Sequence, residues 1–127
     1  MNVLVWIVQV LLAVQFLFHG WLFISPPPMM ADAIGMLGLS AWFRQFIGVA
    51  EVLAAIGLIG PGLTRTFLPA TPLAALGLTI VMVSATIFHI VRNEIPNAIS
   101  ALNLLLLVVV TGYVRWRVVP LQGHSAR

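Results

Sequence analysis

The sequence predicts an all-α protein, a membrane-spanning four-helix bundle with a short interfacial segment between its first and second spans. Hydrophobic residues make up 61% of the 127 residues and charged residues only 7%, with a mean hydropathy of +1.12. Soluble domains carry about 25% charged residues, so this composition excludes a soluble enzyme and a disordered tail. The apolar residues form continuous runs of near-spanning length, whereas the strands of a membrane barrel would alternate in polarity.

Four apolar runs define the expected spans of a single transmembrane domain. They cover residues 2–24, 43–60, 68–91 and 98–114 of a domain that extends over residues 1–127. Each is close to the ~20 residues that a helix needs to cross the hydrocarbon core. We expect the first run to be a retained span, because no Lys or Arg precedes it and it exceeds the apolar region of a signal peptide.

Proline, glycine and polar residues mark the connections. The run Pro26-Pro27-Pro28 ends the first helix. Residues 29–42 are too few to span the membrane and predict a short interfacial helix, with Trp42 at headgroup level. The Gly60-Pro61-Gly62 sequence is expected to break the second helix, and residues 92–97 to form a polar hairpin before the fourth.

The charge pattern predicts the orientation in the membrane. The net charge of +3 comes from scattered arginines, which form no basic stripe for nucleic acid. Four spans place both termini at one end of the bundle, with Arg65, Arg115, Arg117 and Arg127. The opposite end has Arg44 and Arg92, offset by Asp32 and Glu94. The positive-inside rule then places both termini in the cytoplasm, for a bacterial inner (plasma) membrane protein. We call the end with the termini the inner end and the opposite one the outer end.

Polar residues are expected in the outer half of all four spans. His19 lies roughly 7 Å below the outer end of its helix and Glu51 roughly 10 Å. Helical spacing puts Gln15 with His19, Arg44 with Glu51, Thr86 with His89, and Ser100 with Asn103. If these faces point inward, one pocket opens toward the outer surface. Its lining is Gln15, His19, Glu51, Thr86, His89, Ser100 and Asn103.

Glu51 is the sharpest functional signal, because an intramembrane carboxylate is costly and must find a partner or stay protonated. It either binds a ligand and handles protons or makes an interhelical hydrogen bond that fixes packing. Arg44 and Arg92 are candidate charge partners. Neutral histidines near an interface, such as His19 and His89, often only donate to a neighbouring carbonyl. A His–Glu–His metal site or axial haem ligation is chemically reasonable, but nothing in the spacing requires either. No metal site is expected, and the absence of cysteine excludes thiolate ligands.

Three segments resemble the DoxX-like family of small four-helix membrane proteins. Residues 46–58 contain a Gly48-x-x-Glu51 core and a later Gly57-Leu58 step, and residues 84–92 contain an Ala-x-x-x-His-x-x-Arg ending. Residues 18–21 resemble the end of the family's first helix, where relatives often have a Gly followed by a Lys. That Lys is absent here, so its role cannot be carried over.

The resemblance implies two classes of function. The family's namesake is associated with a membrane thiosulfate:quinone oxidoreductase, other members accompany oxidative-stress or catabolic systems, and distant relatives include a receptor-assembly chaperone. One hypothesis is therefore an accessory redox subunit that binds a quinone near Glu51. The other is a non-catalytic assembly subunit that packs against another membrane protein or a second copy. Whether the chain catalyses a reaction stays open at this point, and transport is disfavoured because the sequence contains no repeat.

Overall fold

The computed structural model describes residues 2–123, so Arg127, counted above in the charge balance, lies outside that part of the chain. Five α-helices and a final π-helical turn follow one another along it. They are α1 (Asn2–Ile24), α2 (Pro28–Gly35), α3 (Ala41–Thr64), α4 (Ala70–Val91), α5 (Ile95–Tyr113) and the π-helical turn Val114–Val118. Four segments are long and apolar enough to cross a membrane: α1, α3, α4, and α5 with the π-helical turn.

The four long helices pack as a bundle, which confirms the predicted fold class. α1 packs mainly against α3, and α4 mainly against α5, while α3 and α4 join these two pairs. The core lies at the centre of the bundle and all four helices contribute to it. Its largest buried side chains include Phe16 from α1, Leu58 from α3, Leu78 from α4 and Val108 from α5.

Pro61 does not break its helix, contrary to the expectation for residues 60–62, because α3 continues to Thr64. A proline has no N–H, so the carbonyl of Gly57, four residues earlier, loses its helical donor. The hydroxyl of Thr71, on α4, donates to that carbonyl at 3.0 Å. A neighbouring helix thus supplies the hydrogen bond that the proline removes, which is how prolines are tolerated in membrane helices.

The connections are shorter than predicted. The interfacial helix is α2, only eight residues long, and Trp42 lies in the first turn of α3 instead. α5 begins at Ile95 with a proline in its first turn, so the hairpin after α4 narrows to residues 92–94. Asn93 has a φ of 58°, a left-handed conformation that asparagine tolerates in such turns.

Two glycines set the distance between α1 and α3 in the outer half. A Cβ added to Gly20 would lie 2.7 Å from the carbonyl oxygen of Gly48, and one added to Gly48 would meet the backbone of α1 equally closely. Small residues allow such close approach of membrane helices. This contact brings His19, next to Gly20, and Glu51, one turn after Gly48, to the same place.

Candidate functional site

His19 and Glu51 form a hydrogen-bonded pair between α1 and α3. The distance between His19 Nδ1 and Glu51 Oε2 is 2.7 Å. The Glu51 side chain is 1% exposed, whereas 40% of the His19 side chain is exposed. The pair therefore connects a buried carboxylate to an imidazole that reaches the surface of the bundle.

The imidazole of the pair is packed against an aromatic ring, whereas one oxygen of the carboxylate has no partner in the described chain. The Phe23 ring packs on the His19 ring, with centroids 4.4 Å apart. The second carboxylate oxygen, Glu51 Oε1, is buried without a hydrogen-bond partner among residues 2–123. Buried polar atoms are normally hydrogen-bonded, so Oε1 leaves an acceptor position for a water molecule or a ligand.

His89 makes no hydrogen bond to this pair, so the two histidines that were predicted to share one pocket have different partners. His89 Nδ1 instead lies 2.6 Å from Glu94 Oε2, just beyond the end of α4. Arg92 Nε donates to the other Glu94 oxygen at 3.0 Å, and Arg92 Nη2 donates to the Met36 carbonyl at 3.0 Å. We call His89, Arg92 and Glu94 the outer latch, because they fasten the segment after α2 to the α4–α5 hairpin.

The latch changes the acidity of its carboxyl group. The hydrogen bond from His89, followed by that from Arg92, lowers the pKa of Glu94 below its ordinary value of 4.5. Arg92 is thus occupied by Glu94 and is not the charge partner of Glu51. Arg44, the other candidate partner, forms no ion pair within the described chain, and its Nε atom is buried without a hydrogen bond there.

The remaining predicted residues are not brought together. Gln15 and Asn103 are exposed on the outside of the bundle, as is Ser100, so their expected place in the pocket is wrong. Gln15 is offset about 40° around α1 from His19, enough to leave the buried face, and Asn103 lies nearly opposite the buried face of α5. Thr86 is half-buried, and its hydroxyl donates to the Met82 carbonyl of its own helix at 2.7 Å.

Comparison with known families gives one match over most of the chain. The model of the DoxX-like family matches residues 7–112. The chain belongs to the DoxX-like family. Comparison of this DoxX-like chain with curated proteins and with solved structures gave no match. The matched segment includes His19, Glu51, most of α1 and the whole of α3.

Sequence reasoning missed a second polar cluster of the DoxX-like chain, at its inner end. Gln9 is fully buried, and its amide donates to the Leu58 carbonyl at 2.6 Å. Arg115 is 3% exposed, and its Nε donates to the Gln9 side chain. Arg115 Nη1 donates to Asn2 Oδ1 at 2.7 Å. Helical spacing could have revealed this cluster. Gln9 lies on the same face of α1 as the buried Leu12, Phe16 and Gly20, and Arg115 lies one turn after the buried Thr111.

The two clusters offer different chemistry. In the described part of the DoxX-like chain, no three His, Asp or Glu side chains come together as metal ligands. The outer pair has an acid, an imidazole and an unused acceptor atom, which suit proton transfer and hydrogen bonding to a carbonyl or hydroxyl group. The inner cluster has a guanidinium held by neutral oxygens, which suits binding of an anion.

Proposed function

We propose that this DoxX-like membrane protein is a small accessory subunit of a quinone-linked redox system, with the His19–Glu51 pair as its ligand-binding group. The observation that carries the proposal is the 2.7 Å hydrogen bond between a buried carboxylate and a partly exposed imidazole. Intramembrane ionisable residues of this kind commonly handle protons or ligands. A ligand that arrives within the bilayer can reach the imidazole without entering the core.

The pair has the features needed to accept a proton from a quinol. When Glu51 accepts a hydrogen bond from His19 Nδ1–H, the other ring nitrogen, Nε2, is a hydrogen-bond acceptor. Nε2 can then take a proton from a hydroxyl group, and Glu51 stabilises the imidazolium that results. Quinol oxidation releases two protons and two electrons, so the imidazolium passes the first proton to water at the exposed side of His19 before Nε2 accepts the second. We assign the electrons to a redox centre in a partner subunit, because this chain has no cysteine to ligate a cluster.

Copurified quinone tests the proposal. We expect quinone to be extracted from the protein after purification in mild detergent, and its content to fall about tenfold or more in Glu51→Gln and His19→Gln. Loss of a hydrogen bond to a charged group costs about 1.5–3 kcal/mol, which corresponds to roughly 10–150-fold in affinity. The measurement is the quinone-to-protein ratio by absorbance and mass spectrometry.

His89→Gln is the matched control, because His89 also lies near the outer end but bonds Glu94. We expect this variant to keep its quinone. Equal loss in all three variants, or no quinone in the unaltered protein, would contradict the proposal.

A non-catalytic assembly role is the second candidate, and one groove favours it. A cavity of about 400 Å³ between α3 and α4 is lined largely by small residues, including Ala54, Gly57, Ala74 and Gly77. An added Cβ on Gly77 meets nothing within 4 Å, so the groove is open to a helix of another subunit.

Gly77→Leu tests the assembly role. The Cβ of the new side chain enters open space at this groove, and we expect the leucine to reduce recovery of companion subunits if assembly is the function. Gly48→Leu cannot serve here, because Gly48 packs against α1 of the same chain. Retention of companion subunits by Gly77→Leu would count against this second role.

A further inference from the structure

We propose that an anionic phospholipid binds at the inner end of the bundle, with its phosphate at Arg115 and its acyl chain in the groove between α4 and α5. This inference is independent of the proposed function, because it concerns other residues at the opposite end. Asn2 and Arg115 also lie outside the segment matched by the family model.

The charge of Arg115 is not balanced inside the described chain. Its guanidinium donates to three neutral oxygens, those of the Gln9 amide, the Asn2 amide and the Val119 carbonyl. Its Nη2 atom is buried and has no hydrogen-bond partner among residues 2–123. An unpaired buried charge is costly, and guanidinium readily accommodates a phosphate through several donors.

The arginine is held inward. An arginine this close to the end of a span usually extends its charged group toward the membrane surface. Arg115 does not, because it is only 3% exposed. Its guanidinium carbon lies 5.3 Å from the centre of the Trp6 ring. Arg115 lies in the π-helical turn Val114–Val118, and π-helical turns often occur at functional sites. The surrounding contacts therefore fix the donor group before any ligand arrives.

An apolar groove reaches this arginine. A cavity of about 780 Å³ lies between α4 and α5, and Arg115 is the one charged residue among those that line it in the described chain. Its other walls are mostly apolar, among them Leu73, Leu76, Val109 and Leu121. A cation beside an apolar groove matches a ligand with a negative group and a hydrocarbon tail.

The same features favour a lipid over free phosphate or a second protein chain. Free phosphate would leave the apolar walls without a ligand, and an apolar helix would leave the positive charge unpaired. Anionic lipids are enriched at the cytoplasmic leaflet, where basic pockets between helices bind their headgroups. We expect Pro120 and Leu121 to shift on binding, because they line the groove and follow the last helical turn without regular structure.

Native mass spectrometry with added lipid tests the proposal on the full chain. We expect phosphatidylglycerol to bind at least about tenfold more tightly than phosphatidylcholine, a difference of about 1.4 kcal/mol. Arg115→Gln should remove this preference. Leu76→Trp should weaken binding of both lipids, because Leu76 lines the groove and is 57% exposed, so that the larger ring fills the groove without entering the core.

Two matched variants serve as controls. Arg117→Gln removes an exposed arginine two residues away, and Leu106→Trp alters a leucine on α5 that is also 57% exposed but lies outside the groove. Both should bind lipid as the unaltered protein does. If Arg115→Gln loses its helical circular dichroism, the comparison of Leu76→Trp with Leu106→Trp decides the result.

Three kinds of outcome would overturn the proposal. The first is equal binding of the two lipids by the unaltered protein or unchanged preference in a folded Arg115→Gln. The second is competition by millimolar inorganic phosphate, which would indicate a site for the free anion. The third is a Leu76→Trp variant that changes the dimer fraction but not lipid binding, which would assign the groove to a second copy of the chain.

Discussion

Thr71 and Gln9 show how single side chains support the backbone of α3 inside the membrane. Thr71 donates to the Gly57 carbonyl that Pro61 leaves without a helical donor, and Gln9 donates to the next carbonyl, that of Leu58. No water reaches the hydrocarbon core, so each such group must be satisfied by protein. Both residues are fully buried, which is unusual for polar side chains and follows from this role.

The Thr71 hydrogen bond should depend on the proline. We expect Thr71→Val to lower the free energy of unfolding by about 1 kcal/mol, which is the typical contribution of a side-chain hydrogen bond between membrane helices. In a Pro61→Ala background the cost should approach zero, because an alanine at this position restores the N–H that bonds the Gly57 carbonyl. Unfolding in a mixed-detergent titration measures all four proteins of the cycle. Equal costs in the two backgrounds would show that Thr71 acts through packing alone.

The residue scale also shows where sequence reasoning stops. A proline between two glycines correctly indicates a missing helical hydrogen bond, but the substitute donor, Thr71, lies on another helix, 14 positions after the Gly57 carbonyl that it bonds. The His19–Glu51 contact could be predicted from the sequence, since both residues lie in the outer half of predicted neighbouring spans. The bond between His89 and Glu94 could not be predicted in this way, because it depends on the tight turn at residues 92–94.

At the scale of elements, α2 has few contacts with the long helices, buries one side chain, Ile34, and is followed directly by the segment that the outer latch bonds. Arg92 reaches the carbonyls of Met36 and Leu37 while it pairs with Glu94. The latch therefore couples the α2 segment to the ionised form of one carboxyl group. Loss of that charge removes a partner that orients Arg92.

Acid should release the α2 segment. The pKa of Glu94 is lowered in the folded protein, so its ionised form contributes stability above its ordinary value of 4.5. That contribution is lost as the pH falls through the lowered folded-state pKa. We expect lower amide protection across residues 28–40, measured against the intrinsic exchange rate at each pH, both at low pH and in Glu94→Gln at neutral pH. Hydrogen–deuterium exchange with mass spectrometry measures both.

Asp32→Asn is the matched control for this prediction. Asp32 is an exposed acid on α2 itself, and its side chain makes no hydrogen bond within residues 2–123. We expect Asp32→Asn to retain the pH response. If this variant abolished the response and Glu94→Gln left exchange unchanged, the latch would not control α2.

For the whole molecule, the number and order of spans were predictable, whereas the faces that meet were not. Hydropathy locates spans because each helix is apolar over the length of the bilayer. The same property conceals the interior face, since a helix that is apolar on all sides offers little contrast between core and lipid. Gln15 and Asn103 were placed inside for this reason, although both lie on the outside.

Orientation in the membrane is a prediction that thiol labelling can test. The natural chain has no cysteine, so single substitutions give unambiguous signals. We expect Ser40→Cys, at the outer end, to react with a membrane-impermeant maleimide in intact cells. Thr66→Cys, in the turn between α3 and α4, should react only after lysis; both positions are exposed. The reverse pattern would place the termini outside the cytoplasm.

The pairing of α1 with α3 and of α4 with α5 has a consequence for biogenesis. The glycine contact and the His19–Glu51 bond both lie within the first 64 residues, so the first pair can dock before α4 and α5 enter the bilayer. Thr71, at the start of α4, then bonds the next helix to Gly57 of the first pair. A nascent chain stalled after its second span would then already display the assembled acid–imidazole couple to the surrounding lipid.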